Sequence, residues 1–541
     1  MANTENTKIN IWLPLLMSCI LIIGMMIGKK LQQNQPNIFL NSENYTKDEL
    51  KKYHGVEEIL HYIDAKYMDN VSPTALSEDA INTILHHLDP HSEYISAANL
   101  QESEDDLAGN FEGIGVNFSF LNDSLTVVYV FPNSPAQAAG VLSGDQLIAI
   151  GDSSLVCKTD MEKEAAIKKL KGKNTQPFKI KLFRSTTQQQ LSLEMKSEKI
   201  SSQSIEVAMM LNENTGFIKL NRFCSVSFNE FMKNLEVLVT TNKAENLVID
   251  LRDNPGGYLQ EAINILSQLF KEKDKLLLYT VGKNGQKNEY FSSGKNFFNL
   301  NKIVVLIDEG SASSSEIMAG ALQDWDRATI IGRRSFGKGL VQDQYEMSDG
   351  SAVRLTVARY YTPSGRSIQR PYKGKYSENY ENELSERLKS GEVSGKIILQ
   401  STESQEFKTA SGRKVYSNNG ISPDIFVAED TLFLGEKYAC VSQNIPNFVL
   451  LTRRNNRIVF DNLNTFCEKF VVSKEIENSF FNYSTTAHCD FNLKEKEKMS
   501  DKIKTQIKAE IAKQIFGNIG YYTVTNQSDL CIKKSIQVLN N

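Results

Sequence analysis

The middle of the chain alternates short apolar runs with longer stretches of helical periodicity. The runs are rich in β-branched residues, as is typical of buried strands, and they are residues 216–220, 246–251, 302–308 and 328–331. Apolar positions recur every three or four residues in the stretches between them, which predicts helices at residues 228–240, 259–270 and 314–325. Strands and helices alternating in this way predict an α/β core.

The flanking regions have different patterns. Residues 45–107 predict helices with breaks at Pro73 and Pro90, and residues 431–541 are mostly helical, most clearly at 493–515. Short strands and two short helices fill residues 109–196. We interpret the polar stretch at about 372–414 as a surface insertion. The predicted domains are an anchor at 1–30, a helical region at 31–108, a binding domain at 109–196, an α/β core at 197–430 that contains the insertion, and a C-terminal extension at 431–541.

The N-terminal segment at residues 9–28 is almost wholly apolar and is flanked by Lys8 and by Lys29 and Lys30. Twenty such residues are enough to cross a bilayer. No small-x-small cleavage site follows the apolar run, which favours an uncleaved signal anchor over a cleaved signal peptide. A lipoprotein signal ending at Cys19 is a further alternative. The flanking charges do not settle the orientation.

Composition narrows the classes of partner and cofactor. The 541-residue chain has a net charge of −4 and a pI near 6, which gives no indication of a nucleic-acid partner. The seven cysteines have no Cys-x-x-Cys spacing, so neither a zinc site nor a redox motif is expected. His86, His87 and His91 lack partners at ligand spacing, so we expect no metal. Four cysteines lie in the last 110 residues and could pair in an oxidising compartment, with the pairing left open: Cys440, Cys467, Cys489 and Cys531.

Ser313 falls where a predicted strand meets a predicted helix, beside free backbone N–H groups and the positive end of the helix dipole. No histidine lies between residues 92 and 487, so a serine nucleophile in this region would need another base, such as lysine. Lys338 lies between two glycines and follows Phe336, and a desolvated lysine can lose its proton near neutral pH. An ordinary turn with an N-cap and a capping Glu316 is the alternative.

Four motifs carry a resemblance to a known family. They are Glu-Gly-Ser-Ala-Ser-Ser-Ser-Glu at 309–316, Phe-Gly-Lys-Gly at 336–339, Val-Gln at 341–342 and Tyr-Thr-Pro-Ser-Gly-Arg at 361–366. Over about residues 50–430 the chain resembles the C-terminal processing peptidases, also called tail-specific proteases. The resemblance implies a crotonase/ClpP-like α/β protease core with an inserted PDZ domain. It also implies that Ser313 is the nucleophile, Lys338 the base and Gln342 the residue that orients the lysine.

The turn at residues 252–257, Arg-Asp-Asn-Pro-Gly-Gly, follows the carboxyl end of a predicted strand, where α/β folds place their sites. In the family this motif meets the developing oxyanion, which implies donors at Gly256 or Gly257 together with the backbone N–H of Ser314. A plain tight turn is the alternative. We interpret Asp250 and Arg252 as a structural ion pair.

Residues 109–196 are similar to a PDZ domain of the bacterial type. Such domains bind the C-terminus of a peptide as an added strand and hold its carboxylate with backbone N–H groups. The loop expected to do this comprises Gly113, Ile114, Gly115 and Val116. Glycines that merely bend an edge strand are the alternative.

The function predicted from the sequence is that of a serine endopeptidase that captures the apolar C-terminus of protein substrates and cleaves nearby, without metal or organic cofactor. The family implies a bacterial inner-membrane protein with a single N-terminal anchor and its bulk in the periplasm. Whether the chain forms a homo-oligomer is left open. The alternatives are a catalytically silent peptide-binding scaffold and a hydratase-like enzyme acting on small thioesters.

Overall fold

The computed structural model describes residues 54–121, 123–157, 159–170, 176–185, 187–201, 203–372, 380, 382–395, 405–455 and 458–541. The chain divides into two compact units, Met1–Thr83 and Ile84–Asn541. All the elements discussed below that bear on the site belong to the second unit.

The secondary structure of the described residues comprises strands, α-helices and three short helices of other types. The strands are β1 (Glu93–Ile95), β2 (Asn110–Gly113), β3 (Val116–Leu121), β4 (Ser124–Val130), β5 (Gln146–Ile150), β6 (Ser153–Ser154), β7 (Phe178–Arg184), β8 (Gln189–Met195), β9 (Glu198–Ser201), β10 (Ile205–Met210), β11 (Thr215–Leu220), β12 (Asn246–Asp250), β13 (Lys273–Gly282), β14 (Lys287–Ser293), β15 (Ile303–Ile307), β16 (Ala328–Gly332), β17 (Leu340–Glu346), β18 (Ala352–Tyr361), β19 (Glu406–Lys408), β20 (Lys414–Tyr416) and β21 (Ile425–Phe426).

The α-helices are α1 (His54–Lys66), α2 (Pro73–Leu88), α3 (Ala97–Ala108), α4 (Pro135–Ala138), α5 (Asp160–Leu170), α6 (Ser227–Glu236), α7 (Leu259–Leu269), α8 (Ser314–Asp324), α9 (Glu383–Ser390), α10 (Glu436–Gln443), α11 (Ile445–Asn455), α12 (Leu463–Lys469), α13 (Lys474–Thr486), α14 (Leu493–Phe516), α15 (Asn518–Asn526) and α16 (Leu530–Asn540). A π-helical turn (Val237–Thr241) extends α6, and 3-10 turns lie at Lys283–Gly285 and Thr431–Leu434.

The α/β core is built on a six-stranded sheet of order β10-β11-β12-β15-β16-β21, parallel except for the β10–β11 pair. Its central strands are buried on both faces, as parallel strands between helices must be. Leu247 and Ile249 pack with α6, α7 and α8 on one face. Val248, which alternates with them along β12, packs instead against residues of α16 on the other face. The predicted α/β core is confirmed, and the C-terminal helix completes it.

A second sheet, antiparallel and of order β1-β18-β13-β14 with β17 paired to β18, lies beside the core. The sequence analysis did not predict these strands. Strand β17 reads Leu-Val-Gln-Asp-Gln-Tyr-Glu, with several polar residues. Because β17 is polar, its sequence lacks the apolar run that is typical of a buried strand.

A smaller antiparallel sheet of order β3-β4-β5-β7-β8 forms the region between residues 110 and 201, with β6 paired to β5. Its core is formed by apolar side chains from these strands and from α4 and α5. Strands β2 and β9 pair with each other, so the chain enters and leaves this region side by side.

The C-terminal helices α10 to α15 enclose a separate apolar core. A disulfide joins Cys440 to Cys489 across this core, which resolves the pairing that the sequence left open. Cys467 and Cys531 are free thiols.

The predicted membrane localisation requires correction. No helix in the described part of the chain is both long enough and apolar enough to cross a bilayer. The 24-residue helix α14 has the length, but lysines and glutamates recur along it. The predicted inner-membrane anchor with its bulk in the periplasm is wrong on this finding, and residues 9–28, on which it depended, lie outside the described residues.

Candidate active site

Ser313 occupies the turn between β15 and α8, as predicted. Its backbone has φ 54° and ψ −116°, a conformation that a residue with a Cβ adopts only under strain, at a cost of about 1–3 kcal/mol. Neighbouring serines hold the turn in place. The Ser311 hydroxyl donates to the Leu251 carbonyl (2.8 Å), and the Ser315 hydroxyl donates to the Asn254 carbonyl (2.9 Å). The strain therefore falls on the one serine that the surrounding contacts leave half-buried.

The glycine turn after β12 approaches Ser313 closely. Gly256 has φ +97°, and a Cβ there would lie 2.8 Å from that of Ser313. The N–H of Gly256 donates to Asn254 Oδ1 (2.9 Å). By contrast, the N–H groups of Gly257 and Ser314 have no hydrogen-bond partner among the described residues. Two unpaired donors thus lie next to the Ser313 side chain.

The carboxylate of Glu316 links the serine turn to the lysine loop through hydrogen bonds. Its Oε2 accepts the backbone N–H of Ser313 (2.9 Å) and that of Lys338 (2.8 Å). Its Oε1 accepts the N–H of Gly337 (2.7 Å) and the hydroxyl of Ser335. Burial, which is complete, raises the pKa of this carboxyl to about 7, and the four donors oppose the rise. The capping glutamate of the sequence analysis is present, and it also clamps the lysine loop.

Lys338 lies in the loop between β16 and β17 and is half-buried. Burial lowers the pKa of its ammonium, and the nearby Arg354 lowers it further. Nζ donates to Gln342 Oε1 (2.8 Å). Among the described residues, Nζ makes no hydrogen bond to the Ser313 hydroxyl. The backbone N–H groups of Ser313 and Lys338 therefore donate to the same oxygen of Glu316, whereas their side chains make no hydrogen bond to each other.

Tyr360 and Gln342 fix this arrangement from the second sheet. The Tyr360 hydroxyl lies between the carbonyls of Ser313 (3.0 Å) and Lys338, with a hydrogen bond to each. The register of β17 shifts at Gln342, a bulge that can re-aim a side chain. The amide nitrogen of Gln342 donates to the His91 carbonyl.

Comparison with known proteins identifies the family of the chain. Residues 214–374 match peptidase family S41, and residues 438–517 match a family of unknown function, DUF8443. A carboxy-terminal-processing protease from Bartonella bacilliformis is 31% identical over 389 residues, which cover 69% of this chain and 87% of that protein. The chain belongs to peptidase family S41. It is a serine-type peptidase.

Other relatives of this peptidase have similar names. The carboxy-terminal processing protease CtpB of Bacillus subtilis is 34% identical over 320 residues, covering 58% of this chain and 65% of that protein. The solved photosystem II D1 C-terminal processing protease is 22% identical, with a TM-score of 0.36, and the match covers 69% of this chain and 86% of that one.

A histidine that the sequence analysis did not assign to the site, His91, also lies beside the lysine loop of the peptidase. His91 lies outside the interval from 92 to 487, but its ring centroid is 6.3 Å from that of Phe336. Burial and the charge of Lys338 lower the pKa of His91 to about 4. Its Nε2 bonds to the Tyr380 hydroxyl (2.8 Å). The spacing of histidines could not reveal this contact, because it depends on the pairing of β1 with β18.

Asp250 and Arg252 form the ion pair that the sequence predicted, at 2.6 Å. Arg252 also reaches Asp529 (2.8 Å) just before α16. This pair ties the C-terminal helix to the strand that leads into the glycine turn.

The predicted peptide-binding loop of the peptidase lines a cavity of about 380 Å³. Gly113, Ile114, Gly115 and Val116 contribute to it together with Phe118, Phe131 and Leu170. Gly115 has φ +82° and packs so closely on Ser134 that a Cβ would clash. Strand β3, which follows the loop, lies at the edge of its sheet.

Proposed function

We propose that the protein is a serine endopeptidase in which Ser313 is the nucleophile and Lys338 the general base, and that it cleaves protein substrates near their C-termini. One observation carries the proposal. A strained serine and a half-buried lysine with a lowered pKa share the carboxylate of Glu316 through their backbones. A plain N-cap would explain the serine's contact with Glu316 but not the lysine's.

In the proposed mechanism, neutral Lys338 takes the proton of the Ser313 hydroxyl as its oxygen attacks the scissile carbonyl. Gln342 orients the amine through the contact at 2.8 Å. The N–H groups of Gly257 and Ser314 hold the oxyanion. Gly256 is a weaker candidate because Asn254 already accepts its N–H.

Collapse of the tetrahedral intermediate transfers the lysine's proton to the leaving amine and leaves an acyl-enzyme. Lys338 then activates water for hydrolysis of that ester. The hydroxyl and the amine must meet for the first step. Catalytic hydrogen bonds are often open in a free enzyme and tighten on substrate, so we assign the separation to the resting state.

We further propose that residues 109–196 act as a PDZ domain that captures the apolar C-terminus of the substrate. The free edge of β3 can accept an added strand. The N–H groups of Ile114 and Gly115 make no backbone hydrogen bond to other described residues, so they are available to a terminal carboxylate. Phe118, Phe131 and Leu170 offer an apolar wall to the last side chains.

The test uses a folded reporter protein with a C-terminal tail that ends in apolar residues. Wild-type protein should shorten it, whereas Ser313→Ala and Lys338→Ala should not. A fluorophosphonate probe should label wild type, and the labelling should depend on Lys338. Cleavage by purified Ser313→Ala would end the assignment, and labelling that survives Lys338→Ala would remove the lysine from it. A silent scaffold would take up no probe.

The capture step has its own test. Amidation of the reporter's C-terminus removes the carboxylate that the loop would hold. Cleavage should then slow mainly through a higher KM. Equal KM values for the free and amidated tails would exclude carboxylate recognition and leave the Ser313 chemistry untouched.

A further inference from the structure

Helix α9, part of the polar insertion, packs on the loop that carries Lys338. Its Arg387 is 3% exposed. The guanidinium donates to the carbonyl of Ser335 (3.3 Å) and to that of Arg334. These carbonyls precede Lys338 by three and four residues. A surface insertion thus reaches the backbone of the catalytic loop with a buried cation.

The charges around Arg387 show that ion pairing alone does not explain its burial. Arg334 takes both oxygens of Glu392 (2.7 and 3.0 Å), and Arg387 approaches Glu392 only at 3.4 Å. Burial and the neighbouring Arg334 lower the pKa of Arg387 to about 10. Burying a cation beside another cation is costly. Its two hydrogen bonds to main-chain carbonyls offset part of that cost.

A second set of contacts, from Tyr380 of the insertion and from Gln369 and Arg370 just before it, holds the residues on either side of Lys338. Arg370 lies over the rings of Phe336 (4.3 Å) and Tyr380 (3.7 Å). The Tyr380 hydroxyl accepts the amide N–H of Gln369 (3.2 Å). Gln369 in turn accepts the N–H of Gly339 (2.8 Å) through its Oε1. Tyr380 of the insertion therefore contacts Phe336, before the lysine, directly. It contacts Gly339, after the lysine, through Gln369.

We propose that Arg387 is a positioning residue of the peptidase, and that α9 holds loop 334–339 in the conformation in which Lys338 faces the serine turn. Tyr380 assists through Gln369 and His91. The inference rests on the proposed Ser313–Lys338 chemistry. It assigns to the insertion a role in catalysis for which no substrate contact is needed.

The physical consequence is specific. Without Arg387 the carbonyls of Arg334 and Ser335 lose their donors, and the loop gains freedom. Water then reaches the Lys338 amine, and the burial that lowers its pKa is partly lost. A smaller fraction of the lysine is neutral at pH 7. Activity should fall mainly through kcat, and its rise with pH should move to higher pH.

The experiment compares Arg387→Met with Lys389→Met. Both remove a cation from α9, but Lys389 is exposed. Hydrogen–deuterium exchange should show faster exchange at the amides of Gly337 and Lys338 in Arg387→Met only. The rate of fluorophosphonate labelling at pH 7 should fall about threefold, and its pH profile should shift upward by about half a unit. Lys389→Met should match wild type in both. Arg387→Lys should recover part of the loss, because one ammonium can still donate to a carbonyl.

Exchange and pH profile that stay at the wild-type values in Arg387→Met would overturn the inference. So would a rate loss that only follows the unfolded fraction, with the profile unmoved. If Arg387→Met does not fold, Tyr380→Phe decides, since it removes one hydroxyl: unchanged exchange at Gly339 and an unmoved profile would refute the positioning role. Exchange does not depend on activity, so failure of the Ser313 assignment would be seen separately, as wild type that takes no probe.

Discussion

The turn that carries Ser313 and the loop that carries Lys338 are built in opposite ways. Serines within three residues of Ser313 and the glycine turn beside it hold the first. Side chains from distant parts of the chain hold the second, and they are His91, Glu316, Tyr360, Gln369 and Arg387. The geometry of the proposed nucleophile is local, whereas the environment of the proposed base is assembled by the tertiary fold.

The difference follows from what each group must do. A nucleophile must be accessible to substrate, and a short turn can hold it accessible in a strained backbone conformation. A lysine acts as a base only if it is desolvated, and burial requires neighbours from other elements. Substitutions at residues far away in sequence should therefore reduce activity more when their side chains contact the lysine loop than when they contact the serine turn. Glu316 is the exception, because it belongs to both.

The largest effect is expected from Glu316→Gln. An amide presents one acceptor oxygen where the carboxylate presents two, so each arrangement of the side chain leaves two donors without their acceptor. These are either the N–H groups of Ser313 and Lys338 or the N–H of Gly337 and the hydroxyl of Ser335. We expect kcat to fall about a thousandfold, from a loss of roughly 4 kcal/mol of transition-state stabilisation. Steady-state kinetics on the tailed reporter would measure it.

The matched control is Glu495→Gln. Glu495 closes the same kind of capping box at the start of α14, where it accepts the N–H of Asn492 at 2.9 Å. Activity should be unchanged there. Equal activity of Glu316→Gln and wild type would remove Glu316 as the link between the serine turn and the lysine loop.

The next largest effect is expected at the serine turn, from Gly257→Ala. With φ +136°, an added Cβ would collide with the Phe223 carbonyl, and the displaced N–H could no longer serve the oxyanion. We expect kcat to fall about a hundredfold. Gly140→Ala is the control, because Gly140 also has positive φ (+83°) but open space around it. A similar small loss in both variants would contradict the oxyanion role.

The two titrating groups at the lysine loop should give stability opposite dependences on pH. The pKa of Glu316 is raised from 4.5 to about 7, so its contribution is full below pH 4.5 and is lost as pH rises through 7, by about 3 kcal/mol. The pKa of His91 is lowered from 6.5 to about 4, so its contribution is full above pH 6.5 and is lost as pH falls through 4.

Urea unfolding at several pH values would separate them. Relative to wild type, Glu316→Gln should gain stability as pH rises from 4.5 to 7, and His91→Phe should lose it over about the same interval. Curves for both variants that run parallel to the wild-type curve would show that neither group titrates as the buried environment requires.

The smallest effect on activity is expected from removal of the disulfide. Cys440→Ser with Cys489→Ser opens a loop with a sequence separation of 49, which should destabilise the helical extension by about 4 kcal/mol. Neither half of the site draws on that core, so kcat of the folded protein should not change. Thermal unfolding and kinetics measured together would check this, and a fall in kcat below the melting transition would show a coupling that the contacts do not contain.

The same contrast explains what could be predicted from the sequence. The strands and helix around Ser313 followed from apolar periodicity, and observed β15 and α8 agree with prediction to within about one residue. The glycines around Lys338 and the family motifs pointed to this lysine as the proposed base. Glu316 was recognised as a cap only, because its second set of donors lies 19 to 22 residues away.

The rest depended on contacts that no local pattern records. His91 meets Phe336 only because β1 joins the second sheet, whose strands the sequence analysis did not predict. The insertion was expected to lie at the surface, whereas Arg387 of α9 is buried. The closure of the core by α16 was likewise hidden, since its residues meet β12 and β15 from the far end of the chain.

The most direct test of the account is the rate of fluorophosphonate labelling of Ser313 between pH 6 and pH 11, in wild type and in Lys338→Ala. With a buried lysine as base, the wild-type rate should rise with pH through a single ionisation below the ordinary lysine pKa of 10.5. Lys338→Ala should lose both the rate and the rise. A wild-type rate that does not change with pH, or a variant that keeps the wild-type profile, would contradict the claim that the amine of Lys338 activates Ser313.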